Sequence, residues 1–150
     1  MIDEDSLAHV MHWPAKIGQH LVFPRKSGGN EGRSIAAMTD LGNDTRIITL
    51  DRPLDPKEHK VWEIGKPKEG AVTIARFKRE PIGTNIVKIS DSVLTGAAKE
   101  GALVSGDSGK AWIQKRNGKI VLVSVSSRGG YGIAPNLWIV REKIAEVAAN

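Results

Sequence analysis

Apolar residues in this chain come in short runs, several alternating with polar ones, and Gly or Pro separates most runs from the next. QHLVF at 19–23, SIAAM at 34–38, TRIITL at 45–50, KVWEI at 60–64, AVTIARF at 71–77, NIVKI at 85–89, AWIQ at 111–114, KIVLVSVS at 119–126 and LWIVR at 137–141 are rich in β-branched side chains. That length and period predict strands. Asn117-Gly118 between two such runs predicts a two-residue hairpin, since both central positions of a type I′ turn need φ > 0. Only the end has helical period: within REKIAEVAA, Ile144, Val147 and Ala148 stand at i, i+3 and i+4. Short, regularly spaced strands with one terminal helix predict an all-β barrel or sandwich.

The 150 residues suit one domain with its own core, and 40% hydrophobic with 26% charged residues is ordinary for a globular protein. Lys and Arg outnumber Asp and Glu by 22 to 17, a formal charge of +5. The basic residues are scattered, as in RFKRE at 76–80, and one Tyr and two Phe offer little for base stacking. Nucleic acid is therefore not the expected partner, and a basic RNA-binding β-domain stands only as an alternative. The chain has no cysteine, which removes disulfides and thiol chemistry. No apolar run approaches the roughly 18 residues of a membrane span, and MIDEDS is unlike a signal peptide, so the expected location is the cytoplasm.

Four histidines, at 9, 12, 20 and 59, lack any metal-binding spacing, and no glycine-rich phosphate loop is present, so neither metal nor cofactor is expected. His59, within DPKEHK, is expected to be solvated, and the four tryptophans are expected in the core. The remaining chemistry is nucleophilic. A serine hydroxyl needs an imidazole to take its proton, a carboxylate to orient that imidazole, and backbone N–H groups to receive the oxyanion. Ser108, within GDSG at 106–109, has the glycine-flanked setting such a nucleophile requires.

The stretch from GDSG through the Asn-Gly hairpin, SRG at 127–129, a glycine-containing return strand and a terminal helix resembles the C-terminal barrel of trypsin/chymotrypsin-like serine proteases. Upstream, GNDTRIITLDRPL at 42–54 resembles the family's aspartate motif, and SLAHVMHW at 6–13 its Ala-His turn. The order His, Asp, Ser is also the family's. The resemblance implies a chymotrypsin-like double antiparallel β-barrel. The first barrel, reduced, would span about 1–68 with His and Asp; the second, about 69–150, would carry Ser and the C-terminal helix. It implies a serine endopeptidase with Asp44 as orienting carboxylate, Ser108 as nucleophile, and Gly106 and Ser108 as oxyanion-hole donors. Ser127, Arg128 and Gly129 would pair with an extended peptide, and Gly132 and Ala134 would line the side-chain pocket. The histidine is His9 by its Ala-His context, with His20 and His12 as alternatives; Asp40 is a reserve for Asp44.

Three departures qualify the likeness. Lys110-Ala111 stands where the family usually has Gly-Pro, Arg128 stands where it has an aromatic residue, and no Ile-Val-Gly-Gly-like start is present. The family's zymogen switch, in which a freed N-terminus pairs with the GDSG aspartate, is thus not expected, and Asp107 needs another partner. Few residues precede His9, which implies a trimmed barrel, excision from a longer protein, or a cofactor segment that completes it. These features are most like the compact proteases of positive-strand RNA viruses, with the polyprotein as substrate and the host cytoplasm as location. A bacterial or phage protease is the close rival. The non-enzymatic alternative is an inactive protease-fold structural or peptide-binding module.

Overall fold

The computed structural model describes residues 6–9, 15–99, 101–104, 106–127 and 132–149, with 6–9 and 148–149 as backbone. It is mostly β, with one short α-helix, and divides into two compact units. One holds the described residues up to Trp62 together with those from Glu142 onward; the other is Glu63–Arg141. The division thus falls six residues before the expected 68/69, and most of the terminal helix groups with the first unit.

The first unit is an antiparallel sheet of Ser6–His9 (β1), His20–Pro24 (β2), Asn30–Gly42 (β3) and Thr45–Leu50 (β4), in the order β1-β4-β3-β2. The long β3 serves two partners. Its residues 30–34 pair with β2 and 35–42 with β4, with register shifts at Ile35/Ala37 and Asp40/Gly42. Such irregularities let one strand bend from one partner to the next. Ile35, Ile48, Leu50 and Leu54 form the core, with Leu21, Phe23 and Met38 against it. Each fully buried aliphatic side chain of this kind contributes about 1.5–3 kcal/mol.

The second unit is one curled mixed sheet, a half-barrel. Its strands are Glu63–Ile64 (β5), Gly70–Arg76 (β6), Arg79–Ile89 (β7), Val93–Gly96 (β8), Ala111–Arg116 (β9), Lys119–Val125 (β10) and Ile133–Pro135 (β11). The order is β11-β8-β7-β6-β9-β10-β5; only the short β5 is parallel to its neighbour. Ser124 on β10 donates its hydroxyl hydrogen to the Pro135 carbonyl on β11, joining strands far apart in that order. Val72, Ile74, Ile86, Leu94, Leu103, Trp112, Val121, Val123 and Ala134 fill the interior. Trp112 is fully buried, and its indole N–H donates to Ser126 Oγ at 2.7 Å.

Several expectations shift by identifiable causes. LWIVR is a 3-10 helix, Leu137–Val140, rather than a strand. Pro135 lacks the N–H that would extend a ladder, and Asn136 caps the turn by accepting from Trp138 N at 3.2 Å. KVWEI contributes only the two residues of β5, while β8, VLTG, escaped the periodicity. The Asn117-Gly118 hairpin forms as expected, with both residues at positive φ between the paired Arg116 and Lys119. The Arg141–Ala149 segment is helical (α1), and its Ile144 is fully buried. Of the other tryptophans, Trp62 and Trp138 are half-buried beneath Lys60 and Arg141, so their faces hold cations rather than core; Trp13 lies outside the described residues.

Candidate functional site

GDSG occupies a tight turn that enters β9. Gly106 has φ +100° and Gly109 φ +85°, backbone conformations that side chains resist. Between them Asp107 points inward and is 2% exposed. Its Oδ1 accepts from Phe77 N at 2.8 Å, and its Oδ2 from Val104 N at 2.9 Å and from the Arg79 guanidinium at 2.8 Å. Burial pushes the carboxyl's pKa up, but the Val104 and Phe77 N–H groups and Arg79 outweigh it and hold it below the usual aspartate range. The turn is also fixed to the end of β10: Gly109 N donates to Ser126 O at 2.7 Å, and Ser126 N to Lys110 O at 2.8 Å.

Ser108 is half-buried on this turn, and its hydroxyl donates to the Ser127 carbonyl at 3.3 Å. The structure therefore brings Gly106, Ser108 and Ser127 together. Ser127 is itself buried, and Arg128 and Gly129 lie outside the described residues. Gly132, at φ +63°, accepts from Gly96 N at 2.7 Å and lies against Ala98; Ala134 is fully buried in the core with Trp112 and Leu94.

Asp44 and His9 belong to the first unit. Asn43 and Asp44, at φ 52° and 54°, are the two central residues of the β3–β4 hairpin, flanked by the paired Gly42 and Thr45. The Asn-Asp of the motif is therefore a two-residue turn of the primed kind. Residues 6–9, expected as a turn, are strand, with His9 paired to Arg46. Since β1 ends where β4 begins, His9 and the Asp44 turn occupy the same end of the sheet.

The alternatives separate. His12 lies outside the described residues. His20 pairs with Ser34, on the part of β3 that joins β2 rather than the part that leads into the Asp44 turn. Asp40 is engaged by Arg46, Nε to Oδ1 at 2.5 Å. His59, expected in solvent, is only 13% exposed, lies 3.4 Å from Glu31 Oε2 and stands edge-on to Phe23. Among the described residues no group of three His, Cys, Asp or Glu could hold a metal, and no helix is long and apolar enough to cross a membrane.

Sequence reasoning passed over Phe77 and Arg79. Their signal was the RFKR run at 76–79, which reads as scattered surface charge until the β6–β7 hairpin carries it beside GDSG. The Phe77 ring faces Gly106, and Lys78 Nζ and Lys110 Nζ lie 5.1 and 5.6 Å from the ring centre. Comparison with protein-family models and with curated proteins finds no match to this chain.

Proposed function

We propose that this protein is a serine endopeptidase of the chymotrypsin-like kind, with Ser108 as nucleophile. The observation that carries this reading is the GDSG turn itself. Two left-handed glycines and a buried, triply bonded aspartate present a serine at the entrance of β9, in a curled half-barrel with six antiparallel strands. An ordinary polar turn has no need of a buried carboxylate, whose desolvation costs several kcal/mol unless fully bonded.

In this reading His9 takes the Ser108 proton as Oγ attacks the peptide carbonyl. The carbonyl oxygen, now negative, is received by the N–H groups of Gly106 and Ser108. His9 then gives its proton to the leaving amine as the C–N bond breaks, Asp44 orients the imidazole, and water hydrolyses the acyl-enzyme. An extended peptide would align on residues 127–129 as an added strand. A fluorophosphonate probe should label wild type and not Ser108→Ala, and His9→Ala should lose labelling while His12→Ala and His20→Ala keep it. Wild type that stays unlabelled under all conditions overturns the reading.

The Ser108 hydroxyl's bond to the Ser127 carbonyl favours one rival, a catalytically silent peptide-binding module in which that serine serves only to fasten the turn. Such a module would bind extended peptides equally well with Ser108 replaced by Ala.

A further inference from the structure

We propose that Arg79 is a positioning residue for the nucleophile turn: with Phe77 N–H it forms a built-in latch on Asp107, fixing the loop of Gly106–Gly109 without any activating cleavage. The inference rests on the protease reading above for its catalytic consequence, but the latch itself is a property of the fold.

The geometry is specific. The β6–β7 hairpin ends in a two-residue turn, Phe77-Lys78, between the paired Arg76 and Arg79. Lys78 is held at φ +55°, a conformation lysine disfavours, and in that arrangement the Phe77 N–H donates to Asp107 Oδ1. Arg79 reaches the loop twice, donating to Asp107 Oδ2 at 2.8 Å and to the Ala102 carbonyl at 3.0 Å. Arg76 adds a bond to the same carbonyl at 3.2 Å. The hairpin tip thus holds both the segment leading into GDSG and the aspartate inside it. Asp107 already has three donors, one of them a cation, so an incoming amine would find its negative charge neutralised. Arg76, Lys78 and Glu80 line one cleft with Arg79, and Lys110 reaches over the Phe77 ring.

Without Arg79 a nearly buried carboxylate would lose its counter-charge. Either it protonates at a higher pH or it turns outward, and each outcome moves the adjacent Ser108. A displacement near 1 Å can lower a reaction rate about 100-fold.

Wild type, Arg79→Ala, Arg79→Lys and Phe77→Pro are compared by three measurements: NMR titration of the Asp107 carboxyl, hydrogen exchange of amides 106–110, and the pH profile of fluorophosphonate labelling. Proline suits the first central position of a tight turn and removes the N–H that bonds Asp107, together with the ring that faces Gly106. Arg79→Ala should raise the Asp107 titration, speed loop exchange, and slow labelling at least tenfold, with its acid limb moving up with the titration. Arg79→Lys should restore much of each, and Phe77→Pro should show a smaller change of the same sign.

Unchanged titration and exchange in Arg79→Ala overturn the latch even if wild type labels. Should that variant not fold, unchanged behaviour of folded Phe77→Pro overturns it. If titration and exchange move but wild type never labels, the latch stands and the protease reading falls.

Discussion

A buried carboxylate, a glycine against a core valine and a histidine ring over a strand differ in how much each site can yield. Gly65 sits where an added Cβ would lie 2.5 Å from Val121 Cγ2 and 2.7 Å from its Cβ, inside the packed core. Gly32 would meet atoms almost as close, 2.6 Å from His20 Cε1, but they are the tip of an exposed ring. Gly65→Ala should therefore cost about 1–3 kcal/mol through forced backbone or rotamer shifts. Gly32→Ala should cost under about 1 kcal/mol, because the ring can swing into solvent. Thermal melts of the two variants check this; an equal loss would mean that His20 is fixed by contacts beyond its own flexibility.

At the scale of elements, two hairpin tips differ in how well their residues suit the backbone they adopt. Asn117-Gly118 is the sequence a primed turn prefers, whereas Asn43-Asp44 places an aspartate at φ 54°. Glycine fits that backbone better, so Asp44→Gly should leave the β3–β4 hairpin as stable or raise stability by about 0.5–1 kcal/mol. If Asp44 orients the catalytic histidine, the same variant should lose labelling by at least about 100-fold, since a triad without its carboxylate is severely impaired. A melt and a labelling rate on one variant thus separate turn from catalyst. Undiminished labelling would remove Asp44 from the triad.

Across the molecule, five acidic side chains share a direction. Arg46 hydrogen bonding holds Asp40 low, Ser34 N–H holds Asp51, and the Ser27 N–H and hydroxyl hold Glu58. For Glu31, burial acts upward, yet Arg25, Arg33 and His59 prevail and lower it; Asp107 behaves likewise. A carboxyl whose folded pKa is depressed stabilises the fold fully above its unfolded value, about 3.9 for Asp and 4.3 for Glu. That contribution disappears as pH falls through the folded value. The urea midpoint should be flat from about pH 5.5 to 7 and fall below about pH 4. A midpoint at pH 3 equal to that at pH 6 would contradict the assignment of these partners.

Alternation and turn chemistry made much of the β framework legible in the sequence: β2, β4, β6, β9 and β10 follow their apolar runs closely, and the Asn-Gly turn sits where its dipeptide put it. These depend on local forces, steric φ/ψ preference and the burial of every second side chain, which act over a few neighbouring residues. The GDSG turn was legible in the same way, as glycines flanking a serine. What tertiary structure alone decided is which distant groups meet. LWIVR became a helix because Pro135 and Asn136 end the strand pattern, and His59 left solvent for Glu31 and Phe23. Asp107 took Arg79 and Phe77 N–H, 28 and 30 residues away in the chain, as partners. No local pattern encodes such pairings, because they arise when strand register carries a hairpin tip to a loop it does not adjoin in sequence. A sequence can require a partner for a buried charge; only the fold names it.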